Sequence, residues 1–174
     1  MERSIEIRIL AEGIVAVALA VVLGQIKIFR LPYGGSVTAG SMVPLLWFAL
    51  RHGLRSGIEV GAVYGMVDLA LGGVIVNPIQ ILLDYPVAFA CLGLAGAFRR
   101  KAPLLGVIVG MTGRFLSHFV SGVVYFADYA PEGMSPIIYS AIYNGTYILP
   151  ELIISLVIIS ILLKTRLLET LPQY

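Results

Sequence analysis

Five residues able to do chemistry lie inside stretches that otherwise read as membrane-spanning: Asp84, Arg114, His118, Asn144 and Glu151. An ionisable group in hydrocarbon is costly, so such residues face a bundle interior and mark a functional site by default. A carboxylate, an imidazole and a carboxamide offer charge balance, donors and acceptors to a small ligand. Covalent catalysis is poorly served. Ser117 and His118 are adjacent, so they point to different sides of a helix and make a poor nucleophile–base pair. The sequence has no G-x-x-x-x-G-K-[ST] phosphate loop, no H-E-x-x-H zinc motif and no G-x-S-x-G elbow. The chain is therefore not expected to hydrolyse ATP itself, to be an enzyme, or to carry a metal or cofactor.

The elements that must position these groups follow from composition. The chain is 59% hydrophobic and 13% charged, with a mean hydropathy of +0.94. A soluble domain is about a quarter charged, so this is an integral membrane protein. At about 20 residues per span, 174 residues fit six helices in a single membrane domain, residues 1–174. The net charge of +2 comes from basic residues scattered at helix ends, which gives nucleic acid no footprint. The one cysteine, Cys91, excludes an intramolecular disulfide and reads as a small buried hydrophobe. The first apolar run lacks a small-residue cleavage site and is expected to be a span rather than a leader.

Spans are expected at residues 5–26, 41–52, 56–71, 78–98, 104–126 and 136–163, with Pro44 and Pro150 inside helices. Arg3, Arg8, Arg51, Arg55, Arg99, Arg100, Lys101, Lys164 and Arg166 fall at the termini and in loops 2–3 and 4–5. Loop 1–2 carries Lys27 and Arg30; loops 3–4 and 5–6 carry no Lys or Arg. The positive-inside rule then places both termini in the cytoplasm.

Depth follows from a rise of ~1.5 Å per residue. Asp84 lies about 9 Å in from the outer end of its span, with Tyr85 beside it; His118 and Asn144 lie about 12 Å in and Tyr139 about 5 Å. These four polar residues, Asp84, His118, Tyr139 and Asn144, form an outer layer. Arg114 and Glu151, about 18 and 22 Å in, form a deeper one and read as a buried ion pair between helices 5 and 6. The outer layer suits a small, partly aromatic, cationic ligand: the carboxylate balances charge, the aromatic faces stack, and Asn and His read a ring's donors and acceptors. Interhelical hydrogen bonding that only holds the bundle together is the alternative. Helix 1 carries small residues at four-residue spacing, Ala16, Ala20 and Gly24, which serve either packing within the bundle or docking of another subunit.

Four segments carry a family resemblance: Phe48-Ala49-Leu50-Arg51-His52-Gly53 with Gly57; Leu83-Asp84-Tyr85 with Gly93-Leu94-Ala95-Gly96; Ser117-His118-Phe119-Val120-Ser121-Gly122; and Tyr139-Ser140 with Tyr143-Asn144-Gly145. Over nearly its whole length the chain resembles the ThiT/YuaJ family, the thiamin-specific substrate-binding (S) components of energy-coupling factor (ECF) vitamin importers. The resemblance implies a thiamin site near the outer face among helices 4, 5 and 6, built by Asp84, Tyr85, His118, Gly122, Phe126, Tyr139, Ser140 and Asn144. A lid from loop 1–2 would include Tyr33, Gly34 and Gly35. Asp84 stands where the family typically has a glutamate facing the thiazolium. Phe126 and Gly35 stand where members have tryptophans, and Tyr33, Tyr125 and Tyr129 are the substitute aromatic faces. The resemblance also implies partners: a transmembrane coupling subunit, docked on Ala16 and Ala20, and two cytoplasmic ATPases.

The expected function is thus capture of thiamin at the extracellular side by a membrane subunit of an ATP-driven importer in a prokaryotic plasma membrane. An S component for another vitamin or for a precursor such as hydroxymethylpyrimidine is the same-class alternative. An intramembrane enzyme using His118 with Asp84 or Arg114, or a structural membrane subunit, are the others.

Overall fold

The computed structural model describes residues 2–165; Arg166, counted among the cytoplasmic basic residues, lies outside them. Six helices follow one another: α1 (Glu2–Gln25), α2 (Val43–His52), α3 (Leu54–Ala70), α4 (Pro78–Phe98), α5 (Pro103–Tyr125) and α6 (Pro136–Lys164). Proline opens α4, α5 and α6 in the first turn, where its missing N–H leaves no helical bond unmade. Four of these segments, 21 to 29 residues long, are long and apolar enough to cross a bilayer. Arg99 Nη1 donates to the Arg51 carbonyl at 3.4 Å, so the basic residues that end α2 and follow α4 share one end of the bundle, the cytoplasmic end by charge.

The second span is short, as expected from 41–52: α2 is 10 residues long, about 15 Å. Pro44 sits in its first turn rather than inside it. The stretch ahead of it, expected as a plain loop, is an antiparallel hairpin of β1 (Lys27–Arg30) and β2 (Ser36–Thr38), paired Lys27 to Thr38 and Arg30 to Ser36. Val37 and Thr38 are buried, so β2 descends into the bundle in place of α2's missing outer turns. Non-helical backbone at such depth is tolerated where it is buried in protein or lines a cavity.

α4 is irregular for a local reason. Pro86 lacks an N–H and its ring collides with the carbonyl four residues back. The helix answers with a π turn over Leu83–Val87 and tightens to 3₁₀ over Cys91–Phe98. Within this turn the carbonyl of Leu83 accepts from Ser117 Oγ of α5 at 2.6 Å. π turns recur at functional sites because they re-aim side chains; this one carries Asp84 and Tyr85.

α3 and α4 approach backbone to backbone. A Cβ on Gly61 would lie 2.3 Å from the Phe89 carbonyl oxygen, and one on Gly93 2.2 Å from the Ile58 nitrogen. Small residues permit this contact where apolar lipid supplies no drive for helices to associate. The stripe on α1 does the same work. Ala20 is fully buried and Ala16 is 7% exposed, while Gly13 abuts Val60 and Phe48. The expected docking face is therefore a packing seam against α2 and α3. The outward face of α1 carries Leu10, Ile14, Val15, Leu19 and Val22.

At the cytoplasmic end Glu12 pairs with two arginines, Arg8 at 3.0 Å and Arg51 at 2.8 Å, and with the His52 ring at 2.7 Å. This ties α1 to the end of α2.

Candidate ligand-binding cavity

A cavity of about 240 Å³ lies between the hairpin, α3, α4, α5 and α6, and reaches the loops opposite the basic end. Every residue of the expected site lines it: Asp84 and Tyr85 from α4, His118 and Gly122 from α5 with Phe126 just beyond, and Tyr139, Ser140 and Asn144 from α6. Of the expected lid, Gly34 and Gly35 line it too; the side chain of Tyr33 is outside what the structure describes.

Asp84 is held from both sides. Its Oδ1 lies 3.1 Å from His118 Nδ1, and its Oδ2 accepts from Gln80 Nε2 at 2.7 Å. Gln80 is fully buried and is placed by the helix start. Asn77 caps α4, accepting from Ile79 N at 2.9 Å. Gln80 reaches back to Val76 N at 3.0 Å and to the Val74 carbonyl at 3.1 Å. The Tyr85 hydroxyl accepts from Val74 N at 2.6 Å. The loop between α3 and α4 is thereby fastened to the carboxylate. With Nδ1 donating to Asp84, a neutral His118 ring leaves Nε2 as an acceptor, and that atom has no protein partner.

Ser140 and Asn144 look partly inward to the bundle. Ser140 Oγ donates to the Phe119 carbonyl at 2.9 Å. Asn144 Nδ2 donates to the Ser140 carbonyl at 2.9 Å, and its Oδ1 accepts from Tyr147 at 2.7 Å. Gly122 faces them: a Cβ there would sit 2.3 Å from Ser140 Oγ. The space at this wall exists because position 122 has no side chain.

The deep layer is not the ion pair expected between helices 5 and 6. The Arg114 guanidinium lies over the Phe89 ring, 4.8 Å from its centroid. Glu151 Oε1 accepts from Thr38 N at 2.5 Å and from Thr38 Oγ1 at 2.6 Å. Arg114 Nε and Nη1 and Glu151 Oε2 have no protein partner, and both residues line the cavity. Equal depth brought the two charges to one level, but β2, absent from the helical reading, took the carboxylate.

Sequence reasoning also missed Tyr143 and Tyr147 as cavity residues. With Tyr139 they form a ladder on one face of α6, ring centroids 5.9 and 6.0 Å apart. Their four-residue spacing was the available signal. The Tyr143 hydroxyl donates to the Pro32 carbonyl and accepts from Gly35 N at 3.1 Å. A Cβ on Gly35 would lie 2.8 Å from the Tyr147 ring, so a tyrosine of α6 fills the space beside this position. Asp68 and Tyr64 of α3 complete the inner wall.

Of the charged and polar groups that line the cavity, Asp84, His118, Glu151 and Arg114 are fixed by hydrogen bonds or stacking. Ser117 Oγ is engaged by Leu83. Among the described residues no group of three His, Cys, Asp or Glu side chains could hold a metal.

Comparison with known proteins agrees with this architecture. Residues 10–170 match the family described as Thiamine transporter protein (Thia_YuaJ). The chain is 36% identical to the thiamine transporter ThiT of Bacillus subtilis strain 168, over 94% of this chain and 91% of that one. It is 33% identical to ThiT of Lacticaseibacillus paracasei strain ATCC 334, over 70% of each chain. A solved structure of ThiT from Listeria monocytogenes superposes with a TM-score of 0.84 at 27% identity, covering 92% of this chain and 95% of that one. The relatives named are transporters and not enzymes. Integral to the membrane by its apolar helices and matched over residues 10–170 by the family model, the chain belongs to the thiamine transporter family.

Proposed function

We propose that this chain captures thiamin from the extracellular side and is the substrate-binding subunit of an ATP-driven importer of the energy-coupling factor type. The observation that carries the reading is the Asp84–His118 pair, held in the outer half of a cavity that reaches the loop end of the bundle. A cationic thiazolium needs a carboxylate at hand once water is excluded, and the tyrosine ladder of α6 offers it aromatic faces. The neutral aminopyrimidine needs paired donors and acceptors, which His118, Asn144 and Arg114 provide. Relatives bearing the name thiamine transporter support the choice of vitamin.

The resemblance to S components implies the partners: a transmembrane coupling subunit and two cytoplasmic ATPases supply the energy for uptake, and a chain with no phosphate loop of its own fits that arrangement. Two measurements test the reading. Mass spectrometry of the protein purified from cells in rich medium is expected to recover unaltered thiamin. Labelled thiamin uptake is expected only when the chain is co-expressed with a coupling module. Recovery of a different vitamin, or uptake by the chain alone, contradicts it.

A further inference from the structure

A carboxylate that is 1% exposed inside a membrane bundle needs strong compensation. In Glu151 it comes from a single residue: Oε1 takes both the backbone N–H of Thr38, at 2.5 Å, and its hydroxyl, at 2.6 Å. Thr38 ends β2, the strand that enters the bundle in place of helix. Its N–H has no helical acceptor, so the dependence is mutual. Ser41 N at 3.1 Å from Thr38 Oγ1 continues the network to the start of α2.

The same face of α6 holds the other end of the hairpin. Tyr143, two helical turns before Glu151, grips the tip at Pro32 and Gly35. The hairpin lies across the cavity with Gly34, Gly35, Ser36 and Thr38 in its wall. Glu151 lines that cavity, and its Oε2 is buried without a protein partner among the described residues, so the residue that anchors the hairpin is also part of the cavity wall.

We propose that Glu151 is a positioning residue for ligand retention: through Thr38 it fixes the hairpin across the cavity and sets how slowly the ligand leaves. This rests on reading the cavity as the thiamin site. The role requires an acceptor at Oε1 rather than a net charge, which separates it from simple charge pairing with a cationic ligand.

The test uses the full chain purified in detergent. Release of labelled thiamin and backbone hydrogen exchange of the ligand-free protein are measured for Glu151→Met, Glu151→Gln, Thr38→Val and Thr38→Ser. Glu151→Met and Thr38→Val are expected to speed release by about tenfold or more, with association changed by less than about threefold. In Glu151→Met, the Thr38 amide is also expected to lose its exchange protection. Glu151→Gln and Thr38→Ser keep the acceptor and the hydroxyl and are expected to stay within about threefold of the parent. Should Glu151→Met fail to give monodisperse protein, Thr38→Val carries the test. Unchanged release in Thr38→Val overturns the inference, as does release in Glu151→Gln as fast as in Glu151→Met. If the parent chain binds no thiamin, the functional reading fails separately. Exchange then decides: unchanged protection of Thr38 in Glu151→Met overturns the anchor.

Discussion

Asp84 Oδ1 and His118 Nδ1 lie 3.1 Å apart across the α4–α5 contact, with Gln80 holding the second carboxylate oxygen at 2.7 Å. Neither residue is free to turn away. The carboxylate is aimed by a π turn that exists because Pro86 follows it two residues later. The imidazole is left with one unpartnered nitrogen, Nε2. A site so fixed before the ligand arrives loses little ordering entropy on binding.

The wall at Gly122 makes a steric prediction. Gly122→Ala places a methyl 2.3 Å from Ser140 Oγ and 3.3 Å from Asn144 Nδ2. Displacing those side chains into the cavity is expected to weaken thiamin binding by about 2 kcal/mol, some thirtyfold. Calorimetry on Gly122→Ala and on the double variant with Ser140→Gly checks it: the second change is expected to restore part of the affinity.

Much of this fold was legible because apolar runs of sufficient length have few alternatives in a bilayer. Helix ends at Pro78, Pro103 and Pro136 fell within a residue of expectation, since proline at a first turn is a strong start signal. The site was legible in part. Depth along a helix gives the level of a residue but not the direction it faces, because each residue turns the side chain by about 100°. Asp84, His118 and Asn144 face the cavity as expected, whereas Arg114 and Glu151 share a level and take different partners. Ala16 and Ala20 show the same gap: spacing marked a close contact, not which helix supplied it. The hairpin was hidden because Ser36-Val37-Thr38-Ala39-Gly40 is short, small and mildly apolar, equally at home in a loop, a strand or a helix start.

The α3–α4 seam predicts a fold-level effect. Gly61→Leu drives a branched side chain into the Phe89 backbone, where a Cβ alone would lie 2.3 Å from the carbonyl oxygen. Overpacking at a backbone contact is expected to cost about 3 kcal/mol or more. The thermal midpoint of the detergent-solubilised protein is expected to fall sharply, and thiamin binding with it. A leucine at Gly72, whose added Cβ meets nothing within 4 Å, serves as the control on hydrophobicity, although its positive φ of 128° adds backbone strain of its own.

The cytoplasmic end predicts the opposite split. Glu12→Gln removes the charge that gathers Arg8, Arg51 and His52. Loss of about 1–2 kcal/mol of stability is expected, because Arg8 and Arg51 lose their counter-charge and His52 its carboxylate partner. Thiamin affinity is expected to stay within about twofold, since the cluster lies at the far end of the bundle from the cavity. A thermal-shift series beside a binding titration separates the two effects.

Asp84 carries the central claim, and isothermal titration of Asp84→Asn beside the parent chain tests it most directly. Thiamin and neutral hydroxymethylpyrimidine are titrated into both proteins. The account predicts that the substitution weakens thiamin by about a hundredfold and the pyrimidine by less than about fivefold. Equal losses for the two ligands, or no loss for thiamin, would contradict it.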